Sequence, residues 1–338
     1  MRKLYSVLTF LLVIALGALA GERLRISLAP ILGSAPVLYG MKWGYFREEG
    51  VDLQIVPLAS KRDMFLVFQT GKVDAVVADT AATVLLAARS RPVAVGTAYY
   101  PEDPAKQFVV IVDEDYTGIR TLDDLLTVLG ERNFGRIALP LQSDLEFAMD
   151  TLLERHGIDP NPNFYFGQDN LIYVASLVSF GMVAAGVVPE PYASYVLAFA
   201  GTQGIHLRAL RDFQGIPPLP HLIVFQHFFV REHPEAVRAF LRGFSRAVDR
   251  INAEGKEGLI NLGAPEVIRL FFQGLDPEKV LNDPDVQASI AAIPVPHFPL
   301  PQIPEREVFE AVSAWAYRRG YVALKVDYDQ VVSRDFLP

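Results

Sequence analysis

From Arg25 onward the chain alternates short β-rich runs with segments of helical periodicity, and this alternation constrains the fold more than any other feature. The order is RISLAP, a helical PVLYGMKWGYFREEG, VDLQIVPL, a helix through Phe65, Leu66, Val67 and Phe68, VDAVVAD, and a helix from Thr80 to Arg89. Strands separated by helices of this length form parallel βαβ units in an open sheet. Two further apolar runs follow, VAVGTAYY and QFVVIVDE. At Tyr116 to Ile119 the pattern starts again. A helix in TLDDLLTVLGE is capped by Thr121, RIALPL is a strand, and a helix runs from Ser143 to His156, with Ser143 and Glu146 at capping-box spacing. A short helix near Ser176 to Gly181, the strand MVAAGVV, the helix YASYVLAFA and the edge-like HLRALRD complete a second set.

LIVFQHFFV is then expected as a strand. PEAVRAFLRGFSRAVDRIN is expected as a long amphipathic helix that buries Val237, Phe240, Leu241, Phe244, Val248 and Ile251. The run PVPHFPLPQIP, residues 294–304, holds five prolines and is predicted as an extended loop draped over a surface. A chain of 338 residues suffices for two compact domains. The late return to apolar strand and long helix predicts a discontinuous first domain, residues 22–113 plus 213–338, with the second, residues 114–212, inserted into it. The crossings near 113–117 and 208–213 would then be two hinge strands, a pair that permits rigid-body closure around a ligand.

The first twenty residues, MRKLYSVLTFLLVIALGALA, have a basic start, an apolar core and the small-x-small triplet Ala18-Leu19-Ala20. That layout predicts a secretory signal peptide, residues 1–20, cut before Gly21. There is no cysteine, so an exported product folds without disulfides and lacks the residue that a lipid anchor needs after the cut. The expected location is therefore the periplasm, in soluble form. Removing Arg2 and Lys3 makes the formal charge of −8 two units more negative. Such an acidic chain repels phosphate backbones and anionic lipid, so neither nucleic acid nor a charged membrane surface is expected as a partner.

Signals for catalysis are weak. None of the six histidines forms an i, i+4 pair around a glutamate, and no metal site is expected. The segment around Ser179 lacks the first glycine of a nucleophile elbow, and Gly71-Lys72 lacks the rest of a phosphate loop. The chemistry gathers instead at the carboxyl ends of the expected strands, where open α/β sheets bind ligands. These turns are Ile31 to Ala35, Asp79-Thr80, Leu141 to Asp144, and Glu190-Pro191-Tyr192. Ser34, Thr80 and Ser143 each also fit a plain helix cap. In GVVPEPYASYV, Pro189 and Pro191 cannot donate to a sheet ladder and so end the strand at Glu190.

Six elements in order carry a resemblance: YGMKWGYFREEGV (39–51), QTGKVDAVVAD (69–79), GIRTLDDL (118–125), VVPEPYAS (187–194), VREHPEAVRAFLRGFSRAVDRIN (230–252) and VDYDQVVSRDFL (326–337). Across nearly all of the chain after residue 20, the sequence resembles the periplasmic substrate-binding proteins of nitrate/sulfonate/taurine-type ABC transporters. That family includes binding proteins for thiamin-pyrimidine precursors. The resemblance implies an α/β, two-domain periplasmic binding protein of type II, with two hinge strands and a ligand cleft between the domains. It implies no catalysis and no cofactor, and a membrane permease as partner to a monomer that carries a small solute. The implied contacts are Ser34, Ala35, Asp79, Thr80, Gln142, Ser143, Glu190 and Tyr192, to which the aromatic character of the first helix adds Tyr39. Two turns depart from the family's small residues: Ala59-Ser60-Lys61-Arg62 and Leu141-Gln142-Ser143-Asp144.

Helix N-termini can hold an anion at about 0.3 to 2 kcal/mol each. Asp79, Asp144 and Glu190 would repel one, however, and Tyr39, Trp43, Tyr99, Tyr100, Tyr192 and Tyr195 suit a flat or cationic solute. The expected ligand is thus a neutral or cationic nitrogen heterocycle, such as a pyrimidine thiamin precursor. A sulfonate, taurine or nitrate is the alternative. A thiamin-pyrimidine synthase-like enzyme, similar in fold, is opposed by the absence of cysteine and by the export signal.

Overall fold

The structure, a computed structural model, describes residues 21–57, 60–101, 107–113, 115, 118–130, 135–210, 215–257, 269–271, 276–294 and 296–337. The expected signal peptide lies outside the described residues. Two five-stranded sheets with helices on their faces make two lobes. In the first lobe, β1 (Glu22–Leu28) leads to α1 (Ala35–Lys42), α2 (Tyr45–Glu48), β2 (Val51–Ile55), α3 (Lys61–Gln69), β3 (Ala75–Asp79), α4 (Thr80–Ala87) and β4 (Pro92–Tyr99). The second lobe holds β5 (Phe108–Asp113), α5 (Leu122–Val128), β6 (Ile137–Leu139), α6 (Asp144–Arg155), β7 (Tyr165–Gly167), α7 (Leu171–Ser179), β8 (Ala185–Pro189), α8 (Tyr192–Thr202) and β9 (Leu207–Leu210). The chain then returns through β10 (His221–Gln226), α9 (His227–Glu232), α10 (Pro234–Glu254), α11 (Pro277–Asn282), α12 (Pro284–Ala292), α13 (Arg306–Arg318) and α14 (Tyr328–Val331).

Strand order is β2-β1-β3-β10-β4 in the first sheet and β7-β6-β8-β5-β9 in the second. β1 pairs in parallel with β2 and β3, and β10 runs antiparallel between β3 and β4. β6 is parallel to β7 and β8, whereas β5 is antiparallel to β8 and β9. The parallel βαβ units expected from the alternation are present in both lobes. One strand per lobe, the one that follows a crossing, enters the sheet in reverse.

Three expectations need correction. β5 belongs to the second sheet, so the first crossing lies between Tyr99 and Phe108, upstream of 113–117. Its six residues are all buried, and they pair on both sides only there. The return crossing falls between Leu210 and His221, with 211–214 outside the described residues. Second, α12 does not stay with the first lobe: it packs on α8. The cause is visible in the sequence of α8, YASYVLAFAGT, which has no charge on any face and must be covered on both sides. Third, LIVFQHFFV is a strand only to Gln226, and HFFVRE turns as α9. Similarly, the run after β1 breaks into two helices at Gly44, whose φ of 75° suits glycine.

The first lobe's core forms around α10. Val237, Phe240, Leu241, Phe244, Val248 and Ile251 are all buried, as the periodicity predicts, and Phe240 stacks on Phe46 of α2 at 4.9 Å. Each such side chain contributes about 1.5 to 3 kcal/mol over an exposed position. α6 of the second lobe docks along α13 of the first through a buried polar network. Trp315 Nε1–H donates to Asp150 at 2.7 Å, Tyr321 donates to Glu146 at 2.7 Å, and Arg319 pairs with Glu146 and, at 3.1 Å, with Asp150.

Candidate functional site

Between the lobes lies a cavity of about 960 Å³. Its floor is the sheet edge that the topology dictates. Leu28, Asp79 and Tyr99 stand at the carboxyl ends of β1, β3 and β4, and Pro140, Gln168 and Pro189 at or just past the ends of β6, β7 and β8. Because β5 and β10 are reversed, their first residues, Phe108 and His221, reach the same edge. This is the position at which open α/β sheets hold ligands. Pro294, Pro296 and His297 close one side. The proline-rich loop is thus a cleft wall, rather than a strip lying over an outer surface. It is pinned by the Asn252 amide, which pairs with both the N–H and the C=O of Phe298 at 2.9 and 2.7 Å, and by Gln302, which pairs with Thr97.

The two crossings meet at the cavity. The Gln107 amide donates to the Leu219 carbonyl at 2.6 Å and accepts from the Leu219 N–H at 3.2 Å. One buried side chain therefore ties the outgoing segment to the returning one while lining the cleft.

Across the cleft, two helix N-termini share two carboxylates. Asp79 caps its own helix α4, accepting from Ala82 N–H at 2.6 Å. The next two free amides of α4, Thr80 and Ala81, donate at 3.2 and 2.8 Å to Asp144, which belongs to α6 in the other lobe. In return, Asp144 N–H points to Asp79 at 3.4 Å. Lys61, at the start of α3, lies 3.7 Å from Asp79 and donates to the Gln142 carbonyl of the second lobe. Burial, and then the neighbouring Asp79, push the Asp144 carboxyl well above the usual carboxylate range.

His221 is 8% exposed, and burial pushes its imidazole down to about 4 against an opposing pull from Asp79. Tyr99 flanks it at 5.5 Å between ring centroids, and Phe298 packs edge-on against Tyr99. Asn170 caps α7, accepting from Ile172 and Tyr173 N–H, and presents its residue to the cavity beside Gln168, Asp169 and Tyr173.

Of the residues expected in the site, Asp79, Ser143 and Glu190 line the cavity. Ser143 caps α6 and donates to the Pro140 carbonyl at 2.5 Å. The other half of the expected capping box is missing, because Glu146 accepts instead from Gln142 N–H, Arg319 and Tyr321. Glu190 accepts from the N–H and the hydroxyl of Ser194, both at 3.0 Å, and so closes the first turn of α8; the Glu190–Pro191 bond is cis.

The remaining expected residues do not line the cavity. Ser34 donates to the Ala29 carbonyl and is fully buried, and Ala35 is buried beside it. Thr80 donates its hydroxyl to Pro220 C=O. Gln142, at φ 56°, turns into a separate crevice. Tyr39 is buried on α1 and donates to Glu254, while Tyr192 is buried against Phe271. Trp43 lies under Arg250, and Tyr100 bonds Glu305. Lys61, Gln107, Asp144, Asn170, Tyr173, His221 and His297 take the places these were expected to fill.

Among the described residues there is no cluster of histidine and carboxylate side chains fit to hold a metal ion, and no helix long and apolar enough to cross a membrane. Two mixed α/β lobes, two crossings and a cleft at the strand ends define the class: a two-domain α/β binding-protein fold. Residues 32–257 match the family described as NMT1/THI5 like, and the chain belongs to that family. None of the curated proteins matches it in sequence.

Its fold is similar to that of the alkanesulfonate-binding protein SsuA from Xanthomonas axonopodis pv. citri bound to MOPS (TM-score 0.69, 16% identity, 93% of this chain and 99% of that one). It is also similar to the periplasmic aliphatic sulphonate binding protein SsuA from Escherichia coli (TM-score 0.68, 20% identity, 93% and 98%). The periplasmic nitrate-binding protein NrtA from Synechocystis PCC 6803 is a third such fold (TM-score 0.66, 13% identity, 94% and 87%).

Proposed function

We propose that this chain is the extracytoplasmic, non-catalytic solute-binding component of an ABC importer, and that its cleft holds a neutral or cationic nitrogen heterocycle of the aminopyrimidine kind. The observation that carries the ligand class is the reciprocal capping of α4 and α6. The Thr80 and Ala81 amides at the N-terminus of α4, next to the cleft residue Asp79, are already taken by the chain's own Asp144. An anion would compete with that carboxylate for the same amides. It would also meet Asp79, Asp169 and Glu190 on the walls, against the ammonium of Lys61. Prolines, rings such as Tyr99 and Tyr173, and aliphatic side chains such as Ile31, Leu32 and Met64 supply most of the remaining surface, which suits a flat, largely uncharged solute. In this reading the protein is a monomer in the periplasm, its domains divide at the two crossings, and a membrane permease receives the solute.

The likeness in fold to sulfonate- and nitrate-binding proteins favours a second reading, an anionic solute. Differential scanning fluorimetry separates the two. The panel contains 4-amino-2-methylpyrimidine, flavins, polyamines, taurine, an alkanesulfonate and nitrate. A solute at a hundred times its Kd stabilises by about 2.7 kcal/mol, which is readily seen. The expected result is a shift with the aminopyrimidine and none with the anions. A shift confined to taurine, sulfonate or nitrate overturns the ligand class, and no shift with any solute overturns the transport reading.

A further inference from the structure

His221 is the first residue of β10, in register with Asp79 at the end of β3 on one side and Tyr99 at the end of β4 on the other. Directly opposed residues point to the same face of a sheet, so three neighbouring strands present a carboxylate, an imidazole and a phenol ring in one row at the cleft floor. All three line the cavity.

The imidazole is held in one form by a backbone group. Gly33 N–H donates to Nδ1 at 3.1 Å. A neutral ring whose Nδ1 accepts carries its hydrogen on Nε2. The approach depends on glycine. A Cβ at Gly33 would sit 2.8 Å from the His221 Cβ and 2.9 Å from the Ala98 Cβ, closer than side-chain carbons come. The residue is more than nine-tenths buried, and its Nε2 has no acceptor among the described residues. The Gly33 N–H needs an acceptor at this position, but that bond uses only Nδ1 and leaves Nε2 over for another partner. The neighbours of His221 on β10, Leu222, Ile223, Val224 and Phe225, are apolar and fully buried.

We infer that His221 is the ligand-reading donor of the cleft, a neutral imidazole locked as the Nε2–H tautomer that recognises an acceptor atom of the solute, either an unprotonated ring nitrogen or a carbonyl oxygen. The inference rests on the reading of the cleft as a heterocycle site and adds the atom that selects within that class. Asp79, next in the row, is placed to accept from an N–H on the same edge of the solute. A heterocycle with an acceptor beside an exocyclic amine satisfies both. The matching carbocycle leaves the Nε2–H buried without a partner, and sites built to hydrogen-bond reject such analogues strongly.

Two measurements on the full mature chain test this. Proton–nitrogen correlation spectra of the ligand-free protein at pH 7.5, assigned with His221→Gln, read the tautomer directly. The Nε2–H pattern is expected, and an Nδ1–H or doubly protonated ring overturns the inference whatever the ligand. Calorimetric titration then compares 4-amino-2-methylpyrimidine with 3-methylaniline, the same shape without ring nitrogens. The wild-type protein should prefer the pyrimidine by at least about tenfold, or about 1.4 kcal/mol. His221→Phe should lose that preference, and His221→Gln, whose amide can both accept from Gly33 and donate to the solute, should keep part of it. Undiminished preference in folded His221→Phe overturns this inference and leaves the proposed function standing. Failure of the wild-type protein to bind the pyrimidine overturns both.

Discussion

Asp144 is the most informative position to perturb, because its carboxylate belongs to one lobe and its hydrogen bonds to the other. Asp144→Ala removes the acceptor of two α4 amides, Thr80 at 3.2 Å and Ala81 at 2.8 Å, in a site where the residue is 4% exposed. A hydrogen bond contributes about 0.5 to 1.5 kcal/mol to a neutral acceptor and about 1.5 to 3 kcal/mol to a charged one. Against that stands a relief: the folded protein no longer buries a second carboxyl beside Asp79, the same burden that pushes the Asp144 carboxyl up. The net expectation is a loss of about 2 to 4 kcal/mol.

Asp144→Asn keeps a carbonyl oxygen for Ala81 and sheds the charge, so it should stay within about 1 kcal/mol of wild type. The sign with pH is also fixed. A carboxyl raised above its unfolded value contributes stability that is complete below the unfolded value and lost as pH rises through the folded one. The Asn variant, neutral throughout, should therefore gain on wild type as pH climbs from about 4. Urea unfolding of the three proteins, followed by circular dichroism from pH 4 to 8, measures all of this. If Ala and Asn are equally damaging, charge rather than amide capping holds the lobes together. If both match wild type within about 0.5 kcal/mol, the clasp has no energetic role.

Two further outcomes follow from the same geometry. Glu190→Gln keeps one acceptor for Ser194 and loses the other, so urea melts should show a cost of about 1 kcal/mol, while calorimetry should show affinity for 4-amino-2-methylpyrimidine falling about tenfold. A stability loss with unchanged affinity would reduce Glu190 to a helix cap. For His221, the folded ring holds its proton only below about 4, whereas the unfolded chain takes one up near 6.5. The unfolded state binds more protons between these values, so stability is lost as pH drops from about 6.5 to about 4, by about 3 kcal/mol in all. His221→Gln should flatten that acid limb in thermal melts, and an unchanged limb would show that His221 is not its source.

The lobes were legible because period and punctuation agree. Thr121 with Asp124 forms a complete capping box at the predicted helix start, and every residue assigned to the apolar face of α10 is buried. The site was half legible. Asp79 and Glu190 sit at carboxyl ends of parallel strands, where a reader of βα units looks first. Gln107 and His221 sit at the beginnings of β5 and β10, and only the reversed pairing, a long-range fact, brings strand starts to that edge.

Lys61 did leave a trace, as the charged departure in a turn where relatives carry small residues. The proline run showed that it was extended but not what it would touch, since Phe298 is anchored by Asn252 from a distant helix. Tyr39 and Tyr192 misled for a related reason. An aromatic ring near a strand end can turn inward, and their neighbours Glu254 and Phe271 lie far along the chain.

The docking of α6 limits how the cleft can open. Asp144, Glu146 and Asp150 bind this one helix to α4, Arg319, Tyr321 and Trp315 of the opposite lobe. Separating buried charges costs far more than parting prolines and rings that already border an open cavity. The lobes are thus latched along α6, and the chain joins them again at Pro294, Pro296 and His297, where it leaves α12 on the second lobe for Phe298 on the first; a wider cleft must keep the α6 dock and bend that loop.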